Sequence, residues 1–190
     1  MKIGILAIQG DYEAHAKMLD RIGVEHSFVR TPDDLADLSG IILPGGESST
    51  HLKIMTEEGL FDALKTFAAN GGAFFGTCAG AILLAREVHG PAQQSLALLD
   101  ISVLRNGYGR QLASDVHSGP SKLRSEPLEM VFIRAPIIES AGKDVEILAN
   151  DAGHPVLVRQ GRILAATFHP ELTGDTTVHE YFLKLARNGS

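Results

Sequence analysis

The sequence predicts an α/β fold: a mostly parallel central sheet, with additional antiparallel strands in the second half of the chain. Up to Ala85, short apolar runs alternate with amphipathic helical stretches. That repeat gives parallel strands joined by right-handed crossovers. Beyond Ala85 the apolar runs follow one another with turns, and few helical patterns, between them. Several strands of the first half also end in glycine-rich or polar loops, at the edge where open α/β sheets build their sites.

The elements follow in order. Residues 2–8 read as strand one, and Gln9-Gly10-Asp11 as a tight loop at its carboxyl end. Residues 12–22 read as a helix with Ala14, Met18, Leu19 and Ile22 as its apolar stripe and Gly23 as its stop. A second strand spans 24–30, and Thr31-Pro32 opens a short helical turn. A third strand, 40–44, ends in Gly45-Gly46-Glu47-Ser48-Ser49-Thr50. Two readings stand for that loop: a glycine turn with a Ser/Thr helix cap, or a loop that brings backbone and polar groups up to a ligand. Helices are expected over 51–58 and 60–69, ended by Gly71-Gly72, then a buried strand at 73–75 and a helix over 79–85. Residues 89–100 read as a loop and 118–127 as an exposed loop. Strands are expected at 101–106, 109–113, 130–134, 145–149, 156–160 and 163–168, with turns at Asp151-Ala152-Gly153 and Gln160-Gly161-Arg162. A helix over 176–187 closes the chain.

Composition bounds the function. The 190 residues suffice for a single domain spanning 1–190, with no repeat or linker, and 44% hydrophobic and 21% charged residues are globular values. No apolar run has the length of a membrane span, and the first residues read as a strand rather than a signal peptide. The lone cysteine excludes an internal disulfide and fits a cytoplasmic protein. A net charge of −6 offers no basic footprint for nucleic acid. The eight histidines show no zinc-site spacing, so a structural zinc site is not expected.

That cysteine is where the chemistry concentrates. Gly76-Thr77-Cys78-Ala79-Gly80 lies between a strand and a helix. It has the form of a nucleophile elbow with cysteine in place of serine. Glycines two residues to either side let the turn be sharp, and the backbone N–H of Ala79 is free to meet an oxyanion. A free cysteine alone is also at home as a small buried hydrophobe. At the end of the last strand stands His169-Pro170-Glu171. In an extended segment His169 and Glu171 face the same side, and Pro170 keeps the segment from helix. A carboxylate beside an imidazole fixes its tautomer and favours its charged form, as a catalytic base needs. A surface turn is the competing reading of that tripeptide. His15, His26, His51, His89, His117, His154 and His179 lack a partner motif and are expected to be solvated or locally hydrogen-bonded.

Gly-Thr-Cys-Ala-Gly with a distant His-Pro-Glu resembles the class I, triad-type glutamine amidotransferases. Three further motifs narrow the resemblance to the glutaminase subunits of pyridoxal 5′-phosphate synthase. They are Pro44 through Thr50, Arg105-Asn106-Gly107-Tyr108-Gly109-Arg110-Gln111, and Ile133-Arg134-Ala135-Pro136. The similarity runs from Ile3-Gly4-Ile5 to Glu171-Leu172-Thr173. Ser49 and Ala81 are small departures from the pattern, and the 89–98 loop is less recognisable.

The resemblance implies a flavodoxin-like, three-layer fold and hydrolysis of L-glutamine by Cys78, His169 and Glu171. It implies an oxyanion hole from the N–H groups of Gly46 and Ala79. It also implies that Gly46, Glu47, Ser48, Arg105, Ile133 and Arg134 bind glutamine. It implies a partner, a (β/α)8-barrel synthase subunit in a large hetero-oligomer. That subunit would take the ammonia and combine it with ribose 5-phosphate and glyceraldehyde 3-phosphate. Gln9 and Gly10 would lie at that interface. Competing readings are the glutaminase of another amidotransferase, such as that of imidazole glycerol phosphate synthesis, a cysteine peptidase or chaperone of related fold, and a non-catalytic binding module.

Overall fold

The structure is a computed structural model that describes residues 1–106 and 115–187. The strand expected at 109–113 and most of the 105–111 motif lie outside the described residues.

Four short strands and the segments between them build the parallel part. They are β1 (Ile3–Leu6), β2 (His26–Val29), β3 (Gly40–Leu43) and β4 (Ala73–Thr77). Between them lie α1 (Tyr12–Ile22), α2 (Ser48–Glu57) and α3 (Leu60–Ala69), and α4 (Ala79–Leu84) follows β4. Late in the chain come β10 (Glu146–Asp151), β11 (His154–Gln160), β12 (Ile163–Ala166) and α5 (Thr177–Arg187). The central sheet has seven strands in the order β10-β11-β12-β4-β3-β1-β2. β2 through β12 pair in parallel, and β11 and β10 join antiparallel through two-residue hairpins. The first hairpin loop, Ala152-Gly153, has positive φ at both residues, as the right-handed strand twist demands.

Strand alternation sends side chains to two separate cores. Ile3, Ile5, Ile42, Ala73, Phe75, Leu164 and Ala166 face one core with α1 and α5. Leu6, Ile41, Leu43, Phe74 and Ala165 face the other with α2, α3 and α4. The result is the three-layer α/β arrangement the resemblance implies.

The second half departs from the expected elements. The helix after Cys78 stops at Leu84, and β5 (Ala85–His89) runs from the last residue expected in that helix to the first expected in the following loop. β5 joins β6 (Leu99–Leu104) and β9 (Ile137–Ala141) in a separate three-stranded sheet. β9 was not foreseen, because Ile137-Ile138 is too short an apolar run to stand out after Pro136. β7 (Asp115–Gly119) and β8 (Leu128–Phe132) form a two-stranded hairpin. β7 overlaps the loop expected from Ser118, and its polar side chains are those of a two-stranded hairpin face open to solvent. No helix among the described residues is long and apolar enough to cross a membrane.

Candidate active site

The site lies at the carboxyl ends of β1, β3, β4 and β12, beside the point where strand order reverses around β1. Cys78 follows β4 with φ 48° and ψ −103°, a backbone conformation few side chains tolerate. Its N–H bonds the Ala166 carbonyl of the neighbouring strand at 2.9 Å, which fixes the turn against β12. The flanking glycines are required by space. A Cβ at Gly76 would lie 2.6 Å from the Gly80 backbone, and one at Gly80 would lie 1.9 Å from the Leu43 carbonyl oxygen. Ala79 opens α4, where an N–H has no acceptor within the helix.

His169 and Glu171 reach the cysteine from β12, but not along an extended strand. β12 ends at Ala166, and Pro170–Leu172 is a 3₁₀ turn with His169 as its N-cap. Pro170 occupies the first position of that turn, where its missing N–H costs nothing. His169 Nδ1 and Glu171 Oε1 are 2.7 Å apart, both side chains buried. The His169 N–H bonds the Val131 carbonyl at 2.8 Å, tying the turn to β8. Burial works against a charged His169 ring. The neighbouring Cys78 sulfur and then Glu171 outweigh it and raise its pKa to about 10. Burial pushes the Glu171 carboxyl up, and the His169 charge opposes that shift.

A cavity of about 170 Å³ opens over Cys78 and His169. The expected Gly46, Glu47, Ser48, Arg105, Ile133 and Arg134 all line it. Asp11, Ile82 and Asn106 line it too and had not been singled out. The Gly45–Gly46 loop is tightly fitted. A Cβ at Gly45 would lie 2.4 Å from the His169 ring, and one at Gly46 would meet the Gln9 side chain at 2.5 Å. Gly46 itself has φ 144°. The Glu47 N–H donates to Gln9 Oε1 at 3.0 Å, and His51 Nε2 lies 2.9 Å from the Gln9 carbonyl. The cap reading of this loop holds with one change: the cap of α2 is Glu47, not a hydroxyl residue, and the same loop lines the cavity. Its carboxylate accepts from the Thr50 N–H at 2.9 Å and from the Ser49 hydroxyl, so α2 starts earlier than expected. Burial would raise the Glu47 carboxyl. The Ser49 and Thr50 hydrogen bonds and the Arg105 charge win and lower it. Arg105 Nη2 meets Glu47 Oε1 at 3.0 Å, and the Ser48 hydroxyl lies 3.1 Å from Gln93 Oε1. The Ile133 carbonyl is 3.8 Å from Cys78 Sγ, and Arg134 follows with φ 45°.

The histidines set aside in the sequence divide. His15, His51 and His179 are fully buried rather than solvated. His117 lies 2.8 Å from Asp151 and 3.0 Å from Asp115, joining the β7–β8 hairpin to the end of β10.

The sequence profile of the SNO glutamine amidotransferase family matches residues 5–188. The chain belongs to that family. It is therefore a glutamine amidotransferase, an enzyme. A relative from Koribacter versatilis, called pyridoxal 5′-phosphate synthase subunit PdxT, is 54% identical over 190 residues, covering 100% of this chain and 98% of its own. One of the same name from Deinococcus radiodurans is 49% identical over 193 residues, covering 98% and 97%. A solved crystal structure of a glutamine amidotransferase superposes with a TM-score of 0.91 at 45% identity, covering 97% of this chain and 98% of that one.

Proposed function

We propose that this amidotransferase is the glutaminase subunit of a pyridoxal 5′-phosphate synthase, and that Cys78, His169 and Glu171 are its catalytic triad. The observation that carries the reading is the strained Cys78, held beside a His169–Glu171 pair and under a polar cavity. In this mechanism His169 Nε2 already holds the proton from Cys78 before attack, in keeping with its raised pKa, and Cys78 Sγ attacks the side-chain amide carbon of L-glutamine. The negative oxygen is met by the N–H groups of Gly46 and Ala79. The imidazolium returns its proton to the departing nitrogen, ammonia leaves, and a glutamyl thioester remains. Water, deprotonated by His169, then releases glutamate and restores the thiolate beside the imidazolium. Glu171 holds the Nδ1–H tautomer and stabilises the imidazolium. Glu47 suits the α-ammonium of glutamine, and Arg105 and Arg134 suit its α-carboxylate.

The partner comes from the relatives' name, a synthase subunit, and from the chemistry. Ammonia released into water becomes mostly ammonium, which is no nucleophile, so it is best delivered directly. The recipient is a (β/α)8-barrel subunit in a hetero-oligomer, located in the cytoplasm. Residues 1–190 act as one glutaminase domain, supported by pairing of β1 with β3 and of β4 with β12. Neither nucleic acid nor membrane has a part, and no metal or cofactor is used by this chain.

The test is covalent capture with a chloroketone analogue of glutamine, read by peptide mass. Modification confined to Cys78 and suppressed by excess glutamine is expected. Modification elsewhere, or none at Cys78, would contradict the triad.

A further inference from the structure

On the far side of Glu171 from His169 lies a pair of histidines that the proposed mechanism does not use. His15 comes from the middle of α1 and His179 from the start of α5, and both are fully buried. His15 Nδ1 is 2.9 Å from His179 Nε2. His15 Nε2 is 3.1 Å from Thr77 Oγ1, the residue just before the cysteine, and 3.6 Å from Glu171 Oε2. That Glu171 oxygen is buried and has no hydrogen-bond partner among the described residues. A carboxylate oxygen in that state is costly unless some dipole faces it.

The tautomers follow from the unpaired atoms. Among the described residues His179 Nδ1 is buried without a partner. A bare lone pair there is less costly than a stranded N–H donor, so the proton of His179 belongs on Nε2. His179 then donates to His15 Nδ1, which puts the His15 proton on Nε2. The opposite arrangement would strand an N–H on His179 and aim a His15 lone pair at a carboxylate. We propose that His15 is a positioning residue of the glutaminase site. Its Nε2–H, fixed in that tautomer by His179, bonds Thr77 Oγ1 and turns its positive end toward the free oxygen of Glu171 at 3.6 Å, a charge–dipole contact that favours the ionised carboxylate and keeps it aimed at His169.

The inference rests on the triad reading and extends it by one layer. Burial pushes Glu171 toward its neutral form, which would hold an imidazolium poorly. An N–H dipole behind the carboxylate opposes that push. A neutral His15 serves because it adds no second cation beside His169. Burial first, then the His179 and His169 charges, hold its pKa well below the ordinary value. The groups facing His15 are His179 from α5, Thr77 from the end of β4 and Glu171 from the 3₁₀ turn. His169 lies beyond Glu171, with Asp11 Oδ2 at 3.8 Å from its Nδ1.

The experiment follows capture of Cys78 by the chloroketone analogue across pH, with the synthase subunit present, in the wild type, His15→Met, His15→Asn and His15→Gln. Gln carries an N–H to the Nε2 position, whereas Asn reaches only Nδ1 and Met carries none. His15→Met and His15→Asn should lose roughly several-fold in capture rate at neutral pH, the scale of a charge–dipole contact just beyond hydrogen-bond distance. Their acid limb should move to higher pH, because Glu171 then protonates sooner as pH falls. His15→Gln should restore rate and limb. A merely structural role would leave the limb in place. Wild-type limbs in His15→Met and His15→Asn, or a Gln variant no better than Asn, would overturn the proposal and leave the triad standing. A wild type not captured at Cys78 would overturn the triad, and this inference with it.

Discussion

Cys78 is held by its neighbours rather than by its own preference. A residue at φ 48° and ψ −103° persists only where the surroundings over-determine it, and here they are Gly76, Gly80 and the bond to Ala166. Gly80→Ala would drive a methyl against the Leu43 carbonyl. It should cost on the order of 2–4 kcal/mol, seen as a lower denaturation midpoint, and should slow Cys78 capture. The buried histidines give a second prediction. Burial lowers His179 to about 3 and lowers His15 and His51 as well. The unfolded chain therefore binds protons that the folded one refuses as pH drops through the ordinary histidine range. Stability should fall by up to about 1.4 kcal/mol per pH unit for each such ring between pH ~6.5 and the lower folded value. His169 is raised instead, so its contribution is already full below the ordinary value and does not change in that window. Denaturant midpoints at neutral and mildly acid pH should separate for the wild type and separate less in His179→Phe, which keeps only the His15 and His51 contributions. Both rings could have been found in the sequence. His15, Met18, Leu19 and Ile22 stand at i, i+3, i+4 and i+7, as do His179, Phe182, Leu183 and Ala186. Each histidine thus holds a core position of its helix. The stripe read through Ala14 missed this, because a polar residue was not counted as apolar.

Among the elements, those with a strong period or a glycine stop were legible: α1, α3, α5 and the late hairpins. What was not legible depends on contacts between distant segments. β5 becomes a strand because β6 lies beside it, and nothing in Ala85-Arg86-Glu87-Val88-His89 announces that partner. The 3₁₀ turn at Pro170 was hidden by reading proline only as a helix breaker. The start of α2 was misjudged because its cap is a glutamate, a residue with a second task at the cavity. Glu47→Ala should therefore act twice. It should cost about 1 kcal/mol of stability through the lost cap and raise KM for glutamine more than it lowers kcat. Denaturation and glutaminase kinetics on one preparation would check both. Unchanged KM would leave Glu47 as a cap alone.

At the scale of the molecule, the βα repeat up to Ala85 already specified a parallel sheet with its site at the carboxyl edge, and the resemblance supplied the three layers. Cys78, His169 and Glu171 could be named from their two motifs, and six of the cavity residues only through the resemblance. The sequence did not reveal that the cavity borders the segment just after the β7–β8 hairpin, Ile133 and Arg134, or that the hairpin is tethered through His117 to Asp151. The central claim is a glutaminase that works for a synthase. The most direct measurement is glutamate release from glutamine by this chain alone, by this chain with the synthase subunit, and by Cys78→Ala with the synthase subunit. Release should rise sharply when the subunit is added and fall by about a thousandfold or more in the variant. Equal release with and without the subunit would contradict the dependence on a partner, and a fully active Cys78→Ala would contradict the triad.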